Sequence, residues 1–304
     1  MWMIIIPLAA GYIFGAFKPR WAAKLPVAAI TTASMILLLI VMGARLGADP
    51  QVVAQLATLG FQALLMAAAT VSGSILAVFA LGFLLPKPGE EKEGKGQAQG
   101  PGGYKLTLVM LLSVLAGFAL GLTVAKDMLP FLNNAAAWML GLLLLGVGLD
   151  LGMASSVFAS LRKLGLTIIF IPLGIIAGSI LGGVITAAVL GLPLLEGAAA
   201  ASGFGWYSLS SLLISQLHSP LLGGLAFLAN VFRELIAIIF TPLLARWLGP
   251  VPAIAPAGAT AMDVLLPIIS REAGREYAPL AFFTGGVLSL SVPVFVNLFL
   301  SLCQ

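Results

Sequence analysis

Apolar residues run along this chain in blocks of membrane-crossing length, separated by short polar punctuation. Trp2–Phe17 is a short first block, near the lower limit for spanning. Pro26–Gly43 and Val52–Leu85 follow, the latter long enough to cross with tilt. Lys105–Val124, Phe131–Gly148 and Leu164–Leu190 form a second set of three. After residue 190 the pattern changes. Leu194–Leu217 is apolar but interrupted by Ser202-Gly203-Phe204-Gly205-Trp206-Tyr207-Ser208, and Ile254–Ser270 is interrupted by Pro256, Gly258 and Pro267. Each broken stretch precedes a plain one, Pro220–Leu248 and Tyr277–Leu302. Irregular backbone at membrane depth persists only where protein or a wet cavity satisfies it. Both broken stretches are therefore expected to be re-entrant hairpins or broken helices. The predicted fold is an all-α polytopic membrane protein with about eight full transmembrane helices plus two re-entrant or broken elements.

The polar punctuation divides the chain. Pro86–Gly103 holds six Gly, three Pro, three Lys and three Glu and reads as a flexible linker. The expected units are a three-helix repeat over 1–85, the linker over 86–103, a second, inverted repeat over 104–190, and a transport core over 191–304. The repeat rests on one register: Val41–Gly47 lies over Gly146–Gly152, Leu59-Gly60 over Leu164-Gly165, and Gly73-Ser74-Ile75-Leu76 over Gly178-Ser179-Ile180-Leu181. One residue's adjustment sets Gly11 and Gly15 over Gly117 and Gly121. A unit of three spans must return upside down, as in the inverted-topology repeats of secondary transporters.

Composition agrees with a bilayer setting: the 304 residues are 61% hydrophobic and 9% charged, against about 25% charged in a soluble domain. The net charge of +4 matters by position. With the N-terminus outside, Lys18, Arg20, Lys24, the linker lysines and Arg162/Lys163 fall inside, leaving Arg45 with Asp49 and Lys126 with Asp127 outside. With both broken elements re-entrant, Arg246, Arg271 and Arg275 also fall inside, and Glu196 and His218 outside. Met1–Phe17 lacks a basic leader and a small-residue cleavage site, so it is expected to be a first membrane helix. One Cys, Cys303, and one His, His218, offer no metal cluster, and nothing points to nucleic acid or to a cofactor.

The candidate chemistry lies in the last third. Arg233-Glu234 stands in the middle of Pro220–Leu248, where charged residues are costly and mark a substrate or proton path by default. The two side chains leave a helix about 100° apart, so they do not share a partner. Glu234 would hold a proton or a substrate ammonium, each in turn; the plainer reading is a fixed ion pair. Asp263, in Gly258-Ala259-Thr260-Ala261-Met262-Asp263, is a second binding acid or the N-cap of the helix that follows. At the first break, Ser202, Gly203, Gly205 and Ser208 would present backbone N–H groups to a carboxylate, and Trp206 and Tyr207 would stack on an ammonium. The plainer reading there is an ordinary kink. Asn230 lies one turn before Glu234 on the same face. Arg45 and Asp150 hold equivalent repeat positions, either as a cross-repeat pair or at opposite membrane surfaces. His218 reads as a loop residue.

Three strings, Ala201–Ser210, Arg233–Ile238 and Gly258–Asp263, occur in an order and spacing that resemble the LysO family of bacterial lysine exporters. The resemblance is close over Gly197–Pro267 and looser elsewhere. It implies a bacterial inner-membrane exporter of L-lysine, carrying the analogue thialysine as well, with both termini on the outer side. It also implies that the family's two intramembrane acids match Glu234 and Asp263. Thr260, in the same string as Asp263, is a further candidate for the binding site. The expected function is secondary active export coupled to protons by antiport. The partners are L-lysine, protons and the lipid bilayer, with a homodimer left open as the assembly. Kept beside it are a sodium-coupled carrier of a small carboxylate, an intramembrane enzyme, against which no metal cluster or triad is found, and a passive channel.

Overall fold

The computed structural model describes residues 2–17, 27–84, 103–123, 128–153, 165 and 167–303. The expectations placed on Lys18, Arg20, Lys24, the 86–102 linker, Lys126, Asp127, Arg162 and Lys163 lie outside the described residues. Among those described there are helices and turns and no strand. We number the helices α1 (Trp2–Ala16), α2 (Val27–Ala48), α3 (Pro50–Leu84), α4 (Gly103–Thr123), α5 (Leu129–Met153), α6 (Thr167–Leu190), α7 (Leu194–Ala201), α8 (Tyr207–Leu217), α9 (Pro220–Trp247), α10 (Leu266–Glu272) and α11 (Ala278–Leu302). Five of them contain stretches long and apolar enough to cross a membrane: Val52–Gly82, Pro130–Leu149, Ile168–Leu190, Pro220–Trp247 and Arg275–Leu302. Ile6–Ala16, Thr32–Ala48 and Leu108–Thr123 are shorter apolar helices. Large apolar side chains such as Phe61, Trp138, Leu181 and Val189 face outward, as they do where lipid replaces water. The molecule is an all-α polytopic membrane protein.

Helices α1 to α3 do not pack chiefly among themselves. They pair with α4 to α6: α1 with α5, α2 with α4, and α3 with α6. Between apolar helices in lipid, hydrophobic burial drives little, and close backbone approach through small residues takes over. The glycines here do that reciprocally. Gly11 and Gly15 abut the backbone of Leu145 and Leu149, while Gly117 and Gly121 abut that of Ile40 and Ala44. Gly43 meets Val114 and Phe118, and Gly148 meets Leu8 and Tyr12. At the α3–α6 crossing Gly73 and Gly178 touch each other's carbonyls, and the Ser74 and Ser179 hydroxyls bond at 2.9 Å. Each contact recurs with the partners exchanged, one register of the chain apart.

The last third forms two hairpins arranged along α9. This helix starts with Ser219 as N-cap, its side chain accepting from Leu222 N at 3.1 Å, and with Pro220 in the first turn, a pairing favoured at helix starts. Its 28 residues reach about 42 Å, more than a ~30 Å hydrocarbon core. The first hairpin is α7, a break at 202–206, and α8. Its ends meet, because Glu196 at the entry of α7 and His218 at the end of α8 are hydrogen-bonded at 3.1 Å. His218 is thus a helix C-cap with an acidic partner and not a plain loop residue. The second hairpin runs from residue 249 through two short 3₁₀ turns, Pro252–Ile254 and Gly258–Met262, into α10. It returns to where it began: the charge of Arg246, at the C-terminal end of α9, reaches Glu272 at the end of α10. The hairpins therefore enter from opposite ends of α9.

Candidate functional site

The hairpin tips meet halfway along α9. Ala259 N donates to Phe204 O at 2.7 Å across the junction. Both tips need left-handed backbone. Gly205 has φ +105 and Gly258 φ +60, and Phe204 adopts φ +48, which costs a non-glycine residue about 1–2 kcal/mol. The Phe204 ring is fully buried and edge-on to Phe295 at 6.0 Å, which holds it there. A side chain at 258 would collide with the Phe204 carbonyl. The polar side chains at the breaks bond back to carbonyls that also accept a backbone N–H: Ser202 Oγ donates to Ala198 O at 2.7 Å and Thr260 Oγ1 to Ala257 O at 2.7 Å.

One turn of α9 serves both tips. Asn230 accepts from Gly205 N through Oδ1 at 2.7 Å and donates from Nδ2 to Ala226 O at 2.8 Å, so it fastens the first tip. Arg233, 1% exposed, fastens the second: its Nε donates to Pro256 O at 3.1 Å and its Nη2 to Ala255 O at 3.2 Å. The same guanidinium reaches Ser179 Oγ at 2.8 Å and Ser74 Oγ at 3.2 Å, the pair at the α3–α6 crossing. Arg233 is a buried cation held by neutral acceptors, and no carboxylate lies within 4.0 Å of it among the described residues. It joins α3, α6, α9 and the second hairpin, and does not face the cavity described next.

Glu234 leaves the helix in another direction, as the 100° step between neighbours requires. It lines a narrow cavity with Arg45, Tyr207 and the apolar side chains of Leu39, Met42, Val231, Leu235 and Ile238. Its Oε1 is buried and makes no hydrogen bond. A buried carboxylate oxygen without a partner is costly, by several kcal/mol where the group is charged. Arg45 lines the cavity beside Tyr207, and its charge acts on both Tyr207 and Glu234. Asp263 stands outside the cavity lining, yet within electrostatic reach of both Glu234 and Tyr207. Asp263 is not the N-cap of α10, a position taken by Leu265; it ends the 3₁₀ turn and accepts from Val264 N at 2.6 Å. Tyr207 also packs edge-on against Phe227 at 5.3 Å.

Sequence-predicted residues thus separate into three places. Glu234 and Tyr207 line the cavity with Arg45, and Asp263 acts on it from beside. Ser202, Gly203, Gly205, Thr260, Asn230 and Arg233 form or fasten the tips. Trp206 is half-buried, and Ser208 is on an exposed face. The side chain of Asp150 lies outside the described residues, so the Arg45–Asp150 pairing does too.

Comparison with known proteins gives the family. A family model described as Lysine exporter LysO matches residues 5–113 and 111–300. The chain belongs to the lysine exporter LysO family. Two relatives are "Lysine exporter LysO" of Escherichia coli (strain K12), 38% identical over 189 residues, and "Putative lysine exporter" of Haemophilus influenzae (strain ATCC 51907 / DSM 11121 / KW20 / Rd), 36% identical over 194 residues. The first match covers 61% of this chain and 61% of the relative; the second covers 63% of this chain and 97% of the relative. No solved structure matches the chain.

Within this LysO family chain, some site residues had little signal in the sequence. Ser74 and Ser179 stand out only as members of the repeated Gly-Ser-Ile-Leu string, with nothing to link them to Arg233. Thr284 is buried with an unpartnered Oγ1, next to Gly285, which abuts Met262 N and Ala259 O; a threonine in an apolar helix gives no warning of that.

Proposed function

We propose that this protein exports L-lysine, and analogues such as thialysine, across the bacterial inner membrane by proton antiport. The observation that carries the reading is the buried, unpartnered Oε1 of Glu234 in a cavity between the hairpin core and α2. Such a group is stable when it carries a proton or faces a cationic ligand, and alternating between those occupants is what antiport of a cation requires. Asp263, close enough for its charge to oppose a second charge on Glu234, supplies the other acid. The names of the two relatives support lysine as the cargo.

The reciprocal glycine contacts support an inverted repeat in which 1–85 and 104–190 form a scaffold and 191–304 a transport core. The hairpins, entering from opposite ends of α9, would then expose the cavity to either side in turn. The positive-inside pattern supports both termini on the outer side.

The test is lysine efflux from loaded proteoliposomes under an imposed proton gradient, for the unaltered protein, Glu234→Gln and Asp263→Asn. Gradient-driven efflux that each substitution abolishes is expected, with gel-filtration profiles unchanged. Efflux driven by sodium and indifferent to the proton gradient would overturn the coupling. No lysine movement in the unaltered protein would overturn the cargo.

A further inference from the structure

An α-amino acid with a cationic side chain brings a carboxylate as well as ammonium groups. Most N–H groups of the backbone break expected to receive that carboxylate are already committed. Ser202 N bonds to Ala198 O and Ala199 O, Phe204 N to Ala201 O, Gly205 N to Asn230 Oδ1, Trp206 N to Gly203 O and Tyr207 N to Gly205 O. Moreover, the break faces the other hairpin, with the Phe204 carbonyl against Ala259 N.

The cavity itself holds a cation at the right place. Arg45 is in the last turn of α2, half-buried, and lines the same space as Glu234. Its guanidinium shares that space with Tyr207, and it stands further from Glu234 than the 4.0 Å of a direct ion pair. Opposite charges thus share one narrow cavity without closing on each other, between aliphatic walls that include Leu39, Val231 and Ile238. We propose that Arg45 is the carboxylate-binding residue of the substrate site, so that the site reads a zwitterionic head and excludes a bare diamine. The inference rests on the lysine-export reading and deepens it. A guanidinium fork matches a carboxylate with two parallel hydrogen bonds, a geometry an ammonium does not reproduce. In a site of low dielectric the same cation repels a ligand that carries only positive groups. The methylene chain of lysine would lie along the aliphatic wall, with an ammonium at the free oxygen of Glu234.

The experiment measures binding of lysine, lysine amide and 1,5-diaminopentane to the purified full-length protein in detergent, unaltered and as Arg45→Gln, Arg45→Lys and Glu234→Gln. The unaltered protein is expected to prefer lysine to both analogues. Arg45→Gln should weaken lysine by about tenfold to a hundredfold, the scale of a lost charge-assisted hydrogen bond, while diaminopentane is not weakened. Arg45→Lys keeps the charge and loses the fork, so it should fall between; it carries the test if Arg45→Gln does not fold. Glu234→Gln should weaken all three ligands. If the unaltered protein binds lysine and the Arg45 variants leave its preference over diaminopentane unchanged, or weaken both ligands equally, the assignment of Arg45 is overturned while lysine export stands. If the unaltered protein binds no lysine, the export reading fails and the inference with it.

Discussion

Two adjacent side chains in α9 do different work, and stability measurements separate them. Removing the Arg233 guanidinium leaves the Ala255 and Pro256 carbonyls without donors in a site closed to water. The serine hydroxyls can still bond to each other, so the loss falls mainly on the two carbonyls. At about 1–3 kcal/mol for each of the two orphaned carbonyls, Arg233→Met should destabilise the protein by roughly 2–6 kcal/mol. Thermal unfolding in detergent should show a lower midpoint, with Ser74→Ala/Ser179→Ala shifted the same way and less. An unchanged midpoint in Arg233→Met would show that the guanidinium does not hold the second hairpin. Glu234→Gln should behave oppositely. It replaces a buried carboxylate with an unpartnered oxygen by a neutral amide of the same shape, so the midpoint should hold or rise while export is lost. A large fall in that variant would make Glu234 a structural residue.

At the scale of elements, the hairpin tips depend on glycine for left-handed backbone, and the plain helices depend on it only where two of them cross. Gly258→Ala faces both a left-handed backbone and the Phe204 carbonyl. It should lower export at least about tenfold, because the left-handed strain of ~1–2 kcal/mol adds to a clash at the tip junction. Gly82→Ala, in α3 with nothing within 4 Å, should leave export unchanged and stabilise slightly, by at most about 1 kcal/mol. Equal effects at the two positions in a proteoliposome assay would count against a specific tip geometry. The elements themselves were legible: apolar length marked the plain spans, and Gly203, Gly205, Gly258 and Pro256 marked the breaks. Hydropathy and backbone punctuation are local properties, so a linear reading captures them. The turning-back of each hairpin is not legible in the sequence, because it depends on Glu196 meeting His218 and on the contact of Ala259 with Phe204. Likewise the sequence marks Asn230 and Arg233 as polar residues at depth, but their roles as fasteners depend on partners as far as 159 residues away, which no spacing rule reports. Arg45 gave only a repeat position, and its place beside Glu234 is a product of how α2 packs on α9.

For the whole molecule, hairpins entering from opposite ends of α9 give a prediction about sidedness. In a Cys303→Ser background, single cysteines in His218→Cys and Arg246→Cys should react with a membrane-impermeant maleimide from opposite faces of the membrane. The first lies with Glu196, whose charge also reaches Cys303; the second lies with Glu272 and Arg271. Labelling of both from one face would refute the arrangement.

The pairing of α1 with α5, α2 with α4 and α3 with α6 also has a consequence for how the protein is made. Ser74 and Ser179 are 105 residues apart, so at a synthesis rate of ~5–20 residues per second the first helices wait on the order of 5–20 s for the partners that fit their glycines. Through that interval α1 to α3 lie in the bilayer with their closest packing faces unmatched. The nascent chain is then at its most vulnerable to quality-control proteases and to mispairing with other proteins' helices. A ribosome stalled before α4 emerges would hold a segment that has been inserted but cannot yet fold.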